Sequence, residues 1–160
     1  MSDRVGVMSQ GRIQQIADPR EIYNNPVNGF VASFVGENNT FSGTVKNPAA
    51  GMAGYETAVG TFRARLGELA SGGNVKLYVR PEHTLLSETA TAENAVPVMI
   101  SEISFEGAFI AVHGVADNGQ TLVAEIRNDG SATVPATGSK MFMQFDPARA
   151  AILPDAAVAK

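Results

Sequence analysis

A short alternation closed by a proline constrains this chain most. Across residues 74–83, Val75, Leu77 and Val79 alternate with Lys76, Tyr78 and Arg80. That is the period-two pattern of a strand with one face in a core. Pro81 has no N–H to give to a ladder, so the strand must end or turn there. Arg80 and Glu82 bracket the turn, and the expected relation between them is a structural ion pair. An exposed pair contributes only ~0–1 kcal/mol, so it would set geometry more than stability. His83 follows and is read as a solvated corner residue.

Strand signals continue on both sides. Phe41-Ser42-Gly43-Thr44-Val45 comes first, with a flexible loop expected over residues 47–54. Residues 55–66 carry two alternating pieces around Gly60, which predicts a hairpin or a bulged strand. Ser71-Gly72-Gly73 turns the chain into the strand before Pro81, and residues 89–94 form a small-residue linker. Apolar residues occupy even positions at Val96, Val98 and Ile100, then odd positions at Ile103 and Phe105. A one-residue phase shift places a bulge near Ser101 and Glu102. Gly107 turns the chain into a strand on which His113 is a face residue. Asp117-Asn118-Gly119 is a tight hairpin turn into residues 121–127. Met141, Met143 and Phe145 share one face of the last alternating piece. About eight or nine short strands at this spacing predict a mainly β fold, a small barrel or sandwich.

Residues 1–36 read differently. A short hairpin is expected with Gly11 in its turn. Asp18 caps a helix with Pro19 at its first position and Glu21 completing a capping box. Pro26 stops that helix. Asn28 caps a second one, with Phe30, Val31 and Phe34 on one face and Gly36 as a left-handed C-terminal residue. A two-strand hairpin with two short helices cannot bury a core alone, so this segment must lean on something else.

With 160 residues the chain is long enough for a hydrophobic core, and 44% hydrophobic against 18% charged residues is a globular composition. A net charge of −4 without a basic run argues against nucleic acid as main partner. Zero cysteines exclude disulfides and cysteine–zinc sites and suit the cytosol. No apolar run reaches the ~18 residues of a membrane span, so no direct membrane insertion is expected.

Chemistry-bearing patterns are sparse. No G-x-x-x-x-G-K-[ST] run occurs, so there is no P-loop to cradle phosphates. Leu69-Ala70-Ser71-Gly72-Gly73-Asn74 echoes a nucleotide-signature loop, but such a loop must open a helix, and here a period-two strand follows. Two isolated histidines do not make a metal site. The carboxylates are scattered singly, and no nucleophile elbow appears. The expectation is therefore no catalytic, cofactor or metal residues. The corner Arg80, Pro81, Glu82 and His83 remains as a structural or regulatory candidate.

Several runs resemble the C-terminal third of the ATPase subunit of bacterial ABC importers, with polyamine (spermidine/putrescine) importers the nearest subgroup. They are Met1-Ser2-Asp3-Arg4-Val5-Gly6-Val7-Met8, Gly11-Arg12-Ile13, Asp18-Pro19-Arg20-Glu21-Ile22-Tyr23, Pro26 and Phe30-Val31-Ala32-Ser33-Phe34-Val35-Gly36-Glu37-Asn38. Val79-Arg80-Pro81-Glu82-His83 and the strands with Gly107 and Gly138 resemble the accessory TOBE domain, an OB-type barrel. Gly36-Glu37-Asn38 favours polyamine or ferric-iron importers over sugar importers.

The resemblance implies that residues 1–36 are the last hairpin and helices of a nucleotide-binding domain, and that residues 37–160 are the TOBE domain. ATP and magnesium would belong to the parent subunit, at the cytoplasmic face of the membrane with its permease partners. The chain itself would be a non-catalytic regulatory and dimerisation module. The alternative is a small-ligand or oxyanion-binding barrel, for which Arg80 with the Ser71-Gly72-Gly73 turn is a poor candidate. Lacking the rest of that domain, residues 1–36 are expected to be weakly held. Val5, Val7, Ile13, Ile16, Phe30 and Phe34 would then be uncovered, favouring a homodimer.

Overall fold

The computed structural model describes residues 4–67, 74–130 and 133–155; the Ser71-Gly72-Gly73 turn and the Leu69–Asn74 echo fall outside or at the edge of these. The architecture is mainly β. Its first pieces are a hairpin, β1 (Val5–Ser9) and β2 (Arg12–Ala17), and two short helices, α1 (Pro19–Asn24) and α2 (Gly29–Val35).

Ten further strands follow among the described residues. β3 (Asn39–Ala49), β4 (Met52–Thr57), β5 (Gly60–Leu66), β6 (Val75–Val79) and β12 (Ala150–Pro154) close into a five-stranded barrel. β7 (Leu85–Ser87), β8 (Asn94–Phe105), β9 (Phe109–Ala116), β10 (Thr121–Arg127) and β11 (Lys140–Phe145) form a second sheet in the order β10-β9-β8-β11-β7. The OB-type barrel expected from the sequence is present, and a five-stranded antiparallel sheet packs on it.

Barrel closure depends on a change of partner within β3. Its first residues, Asn39 to Ser42, pair with β6, and from Gly43 onward it pairs with β4. A Cβ on Gly43 would stand 2.1 Å from the Glu56 carbonyl oxygen, so only glycine lets the strands meet there. Closure is completed by β12, antiparallel to β6 and parallel to β5.

Barrel and sheet share one core. Phe41 of β3, Phe62 of β5 and Phe145 of β11 form a triangle with ring centroids 5.2, 5.4 and 6.0 Å apart. These spacings suit tilted and offset aromatic pairs. The expected bulge lies between Ile100 and Glu102, and Ile103 beyond it packs against the same core as Val96, Val98 and Ile100, whereas Phe105 is exposed. Met143 and Phe145 are buried as the alternation of β11 predicted.

Two fully buried side chains fasten sheet to barrel by copying a backbone pair. Asn94 accepts from the Arg63 N–H at 2.8 Å and donates to the Arg63 carbonyl at 2.7 Å. Asn39 does the same to Val123, at 2.9 and 2.8 Å. Gln144 holds the linker of residues 89–94 by accepting from the N–H groups of Thr91 and Ala92. The loop expected over residues 47–54 is instead a tight connection between β3 and β4, through a bulge after Lys46 and a turn at Ala50 and Gly51.

The first segment departs from expectation in three ways. Asp18 caps α1 by accepting from the Glu21 N–H at 2.9 Å, but the Glu21 carboxylate takes the Asn25 side-chain N–H rather than completing a capping box. Gly36 has φ 170°, which is extended rather than left-handed. Val7 is buried with Ile22 and Val31, and Val5 and Phe30 pack against them; Ile13, Ile16 and Phe34 are the ones left exposed. A separate cluster of Ala32, Tyr78, Ala151 and Leu153 seats α2 on β6 and β12, so the segment docks on its own barrel.

Replacing Asn94 by alanine is expected to destabilise the chain by roughly 1–3 kcal/mol, because it strands a paired N–H and C=O of β5. Urea unfolding measures this. A loss below about 0.5 kcal/mol would mean that water replaces both bonds.

Candidate functional site: the Arg80 corner

β6 ends at Val79 and the chain enters a 3-10 turn over Pro81–His83. The turn is closed by the His83 N–H to the Arg80 carbonyl at 3.0 Å and the Thr84 N–H to the Pro81 carbonyl at 3.1 Å. Thr84 adds a hydroxyl bond to the Arg80 carbonyl and receives one from Asn39, tying the corner to β3. Pro81 is buried at the first position of the turn, where a missing N–H costs nothing.

Arg80 does not pair with Glu82 as expected. Its side chain is 6% exposed and points toward the helices. Nη1 donates to the carbonyls of Ala32 and Glu37, both at 3.1 Å, and Nη2 donates to the Tyr23 carbonyl at 3.3 Å. The guanidinium carbon lies 4.3 Å from the centre of the Tyr23 ring. One cation thus donates to carbonyls of α1, α2 and the start of the barrel segment. Carbonyl oxygens at a helix C-terminus carry partial negative charge, which repays part of the cost of burying it. Burial lowers the Arg80 pKa from its ordinary value.

The same contact explains Gly36. A Cβ there would lie 2.8 Å from Arg80 Nη1, so the glycine admits the guanidinium rather than reversing a helix. Glu82 is exposed and receives the Tyr23 hydroxyl. Tyr23 therefore touches Arg80 with its ring face and Glu82 with its hydroxyl.

His83 is not a solvated corner. It is half-buried, and its Nδ1 is buried without a hydrogen-bond partner. Burial lowers its pKa first, then the nearby positive charge of Arg149, with further lowering from Arg80 and Arg65 and an opposing effect of Glu82. His83 lines a cleft of about 230 Å³ between α1, the 3-10 turn and the barrel, with Tyr23, Asn25, Arg65, Arg80 and Arg149. His113 sits on β9 as a half-buried strand-face residue, as expected. Tyr23, Arg65 and Arg149 carry no signal in the sequence that singles them out for this corner, and Gly36 carries one for a different role, a helix end. Among the described residues no group of three or more His, Cys, Asp or Glu is placed to hold a metal.

Lysine in place of Arg80 keeps the charge but loses the planar fork. Arg80→Lys is expected to cost roughly 2–4 kcal/mol, since buried carbonyls lose charged donors. In limited proteolysis the variant should be cut first between residues 16 and 40, while the parent chain is protected there. Equal protection of both would show that the helices are held by apolar contact alone.

Residues 77–153 match the TOBE domain family model. The spermidine/putrescine import ATP-binding protein PotA of Rubrobacter xylanophilus is 34% identical over 162 residues, covering 96% of this chain and 41% of the relative. The protein of the same name from Lawsonia intracellularis is 40% identical over 141 residues, covering 84% and 38%. The sulfate/thiosulfate import ATP-binding protein CysA of Photorhabdus laumondii is 30% identical over 151 residues, covering 93% and 40%. The chain spans about two fifths of the length of these curated relatives. Among solved structures, the molybdate-bound cytoplasmic protein ModG has the same fold, with a TM-score of 0.61 at 17% identity, covering 72% of this chain and 95% of that one. Residues 77–153 are thus a TOBE domain, and nearly the whole chain is related to part of the ATP-binding subunits of bacterial ABC importers.

Proposed function

We propose that this chain is the accessory regulatory and dimerisation module of an importer ATP-binding subunit that energises polyamine uptake. The observation that carries this reading is the match to a spermidine/putrescine import ATP-binding protein across 96% of the chain, hairpin and helices included. A free-standing ligand-binding barrel has no need of α1 and α2. Here both are clamped to the barrel by Arg80, so motion of one reaches the other. In this reading ATP and magnesium are handled by the rest of the subunit, at the cytoplasmic face of the membrane and beside permease subunits. No described helix is long and apolar enough to cross a membrane.

A second reading, an oxyanion importer, is favoured by the sulfate/thiosulfate relative at 30% identity over 93% of the chain. Uptake of labelled putrescine and of labelled sulfate, in a bacterium carrying the complete subunit with its neighbouring transport genes, separates the two. Putrescine uptake that fails when the subunit is deleted is expected; loss of sulfate uptake alone would overturn the polyamine reading.

The module is non-catalytic in this proposal and pairs with a second copy. Titration calorimetry with magnesium-ATP should give no binding heat, and micromolar binding would refute it. Light scattering should report a dimer, both for the whole chain and for a version starting at Glu37. A monomer for both at high micromolar concentration would end the dimer claim. A monomer for the shorter version alone would place the association on exposed Ile13, Ile16 and Phe34.

A further inference from the structure

Two arginines of the barrel fasten the short helices, and a histidine stands between them. Arg80, the residue after β6, donates to the carbonyls of Tyr23, Ala32 and Glu37. Arg65 of β5 donates from Nη1 to the Asn25 side-chain oxygen at 2.8 Å and from Nη2 to the Asn24 carbonyl at 3.5 Å. Arg149, from a second 3-10 turn at Pro147–Arg149, lines the same cleft as both of them and His83. The ion pairs among the described residues, Lys46–Glu56, Arg63–Glu93 and Lys76–Asp155, involve none of these arginines.

The charged groups that act on His83 come from every side of that cleft: Arg149 from the second turn, Glu82 from its own turn, Arg80 from the end of β6 and Arg65 from β5, with Tyr23 of α1 lining the wall. Its Nδ1 is buried without a hydrogen-bond partner, and so is Arg65 Nε in the same cleft. A neutral imidazole fits this place at the cost of one unmade bond. An imidazolium carries a proton on both ring nitrogens, so it would bury a charged donor with no acceptor and set a fourth positive charge beside three guanidiniums. Glu82, the carboxylate that could offset it, already receives the Tyr23 hydroxyl.

We infer that His83 makes the helix–barrel junction an acid-sensitive latch: the neutral ring leaves Arg65 and Arg80 on their acceptors in α1 and α2, and the protonated ring, repelling both arginines, releases the helices while the barrel stays folded. The repulsion falls on the very groups that do the fastening. Release also separates Tyr23 from Glu82, which frees that carboxylate to pair with the imidazolium and favours the open form further. In the closed form burial, then Arg149, with Arg80 and Arg65 after the opposing Glu82, hold the His83 pKa below its ordinary value. The open form restores that value of about 6.5, so the closed form binds fewer protons and loses its advantage as pH falls through about 6.5. Glu125, beyond Tyr23, acts with the opposite sign: burial, Glu82 and Glu37 push its carboxyl up, so its protonation favours the closed form. The inference goes beyond the functional reading above and does not rest on it.

The test is amide hydrogen exchange of the whole chain, read by mass spectrometry from about pH 8 to about pH 5 and corrected for the intrinsic exchange rate. Protection of residues 19–35 is expected to fall by up to about tenfold per pH unit below about 6.5, the slope of one linked proton, while β4 and β5 of the barrel keep theirs. His83→Gln, neutral throughout, should make the protection of the helices independent of pH over this range. Arg149→Gln removes the largest repelling charge and should shrink the total loss several-fold; this exposed side chain enters no hydrogen bond or ion pair described above, so its fold is kept. Constant protection of the helices in the parent chain overturns the proposal. So does a His83→Gln variant that loses as much protection as the parent, which would assign the effect to carboxylates. Barrel strands that lose protection in step with the helices also overturn it, by making the change global acid unfolding.

Discussion

One buried guanidinium sets the relation between the two halves of this chain. Arg80 leaves the last residue of a barrel strand, passes over a glycine that makes room for it, and ends on three backbone carbonyls and a tyrosine ring. A buried charge without partners would be costly, so the position demands that α1 and α2 stand where they do. The demand is mutual. Helices of six and seven residues are too short to be stable in isolation, and the Tyr23 and Ala32 carbonyls that accept from Arg80 are among those their ends leave unpaired.

The barrel in turn owes its attachment to the second sheet to polar side chains acting as backbone. Asn39 and Asn94 each make a two-bond pair with a strand of the other layer. Between them the Phe41, Phe62 and Phe145 triangle fills the space where the layers meet. Apolar contact is tolerant of sliding, whereas a two-bond pair is not. The asparagines therefore give the shared core its register.

Strands, turns and the β8 bulge were legible because each rests on local pattern. Alternation, an Asn-Gly turn and a one-residue phase shift act over a handful of residues. What escaped the sequence depended on neighbours far along the chain. Gly36 looked like a helix terminator, but its role is set by Arg80, and Arg80 looked like a partner for Glu82 two residues away. Asn94 began what read as the end of a linker, and nothing local says that it faces Arg63. Val7 was expected to lie bare, yet Ile22 and Val31 of the helices cover it. The family resemblance supplied the barrel, while the packing of the first segment on that barrel came only from the fold.

Charge is sorted across the corner, and Tyr23 is the dividing wall. On one side its ring lies under Arg80 and faces the cleft of Arg65, His83 and Arg149. On the other, its hydroxyl meets Glu82 in a cleft shared with Glu37, Glu106 and Glu125. The Glu125 carboxyl is pushed up from its ordinary pKa by burial and then by Glu82 and Glu37. Two like-charged clefts back to back are each unfavourable, but their attraction across a single ring offsets part of that cost. The tyrosine also gives the arrangement a single lever: a change at either cleft acts on Tyr23, and Tyr23 belongs to α1. That helix, within the first segment, is thereby the element on which both charge clusters bear.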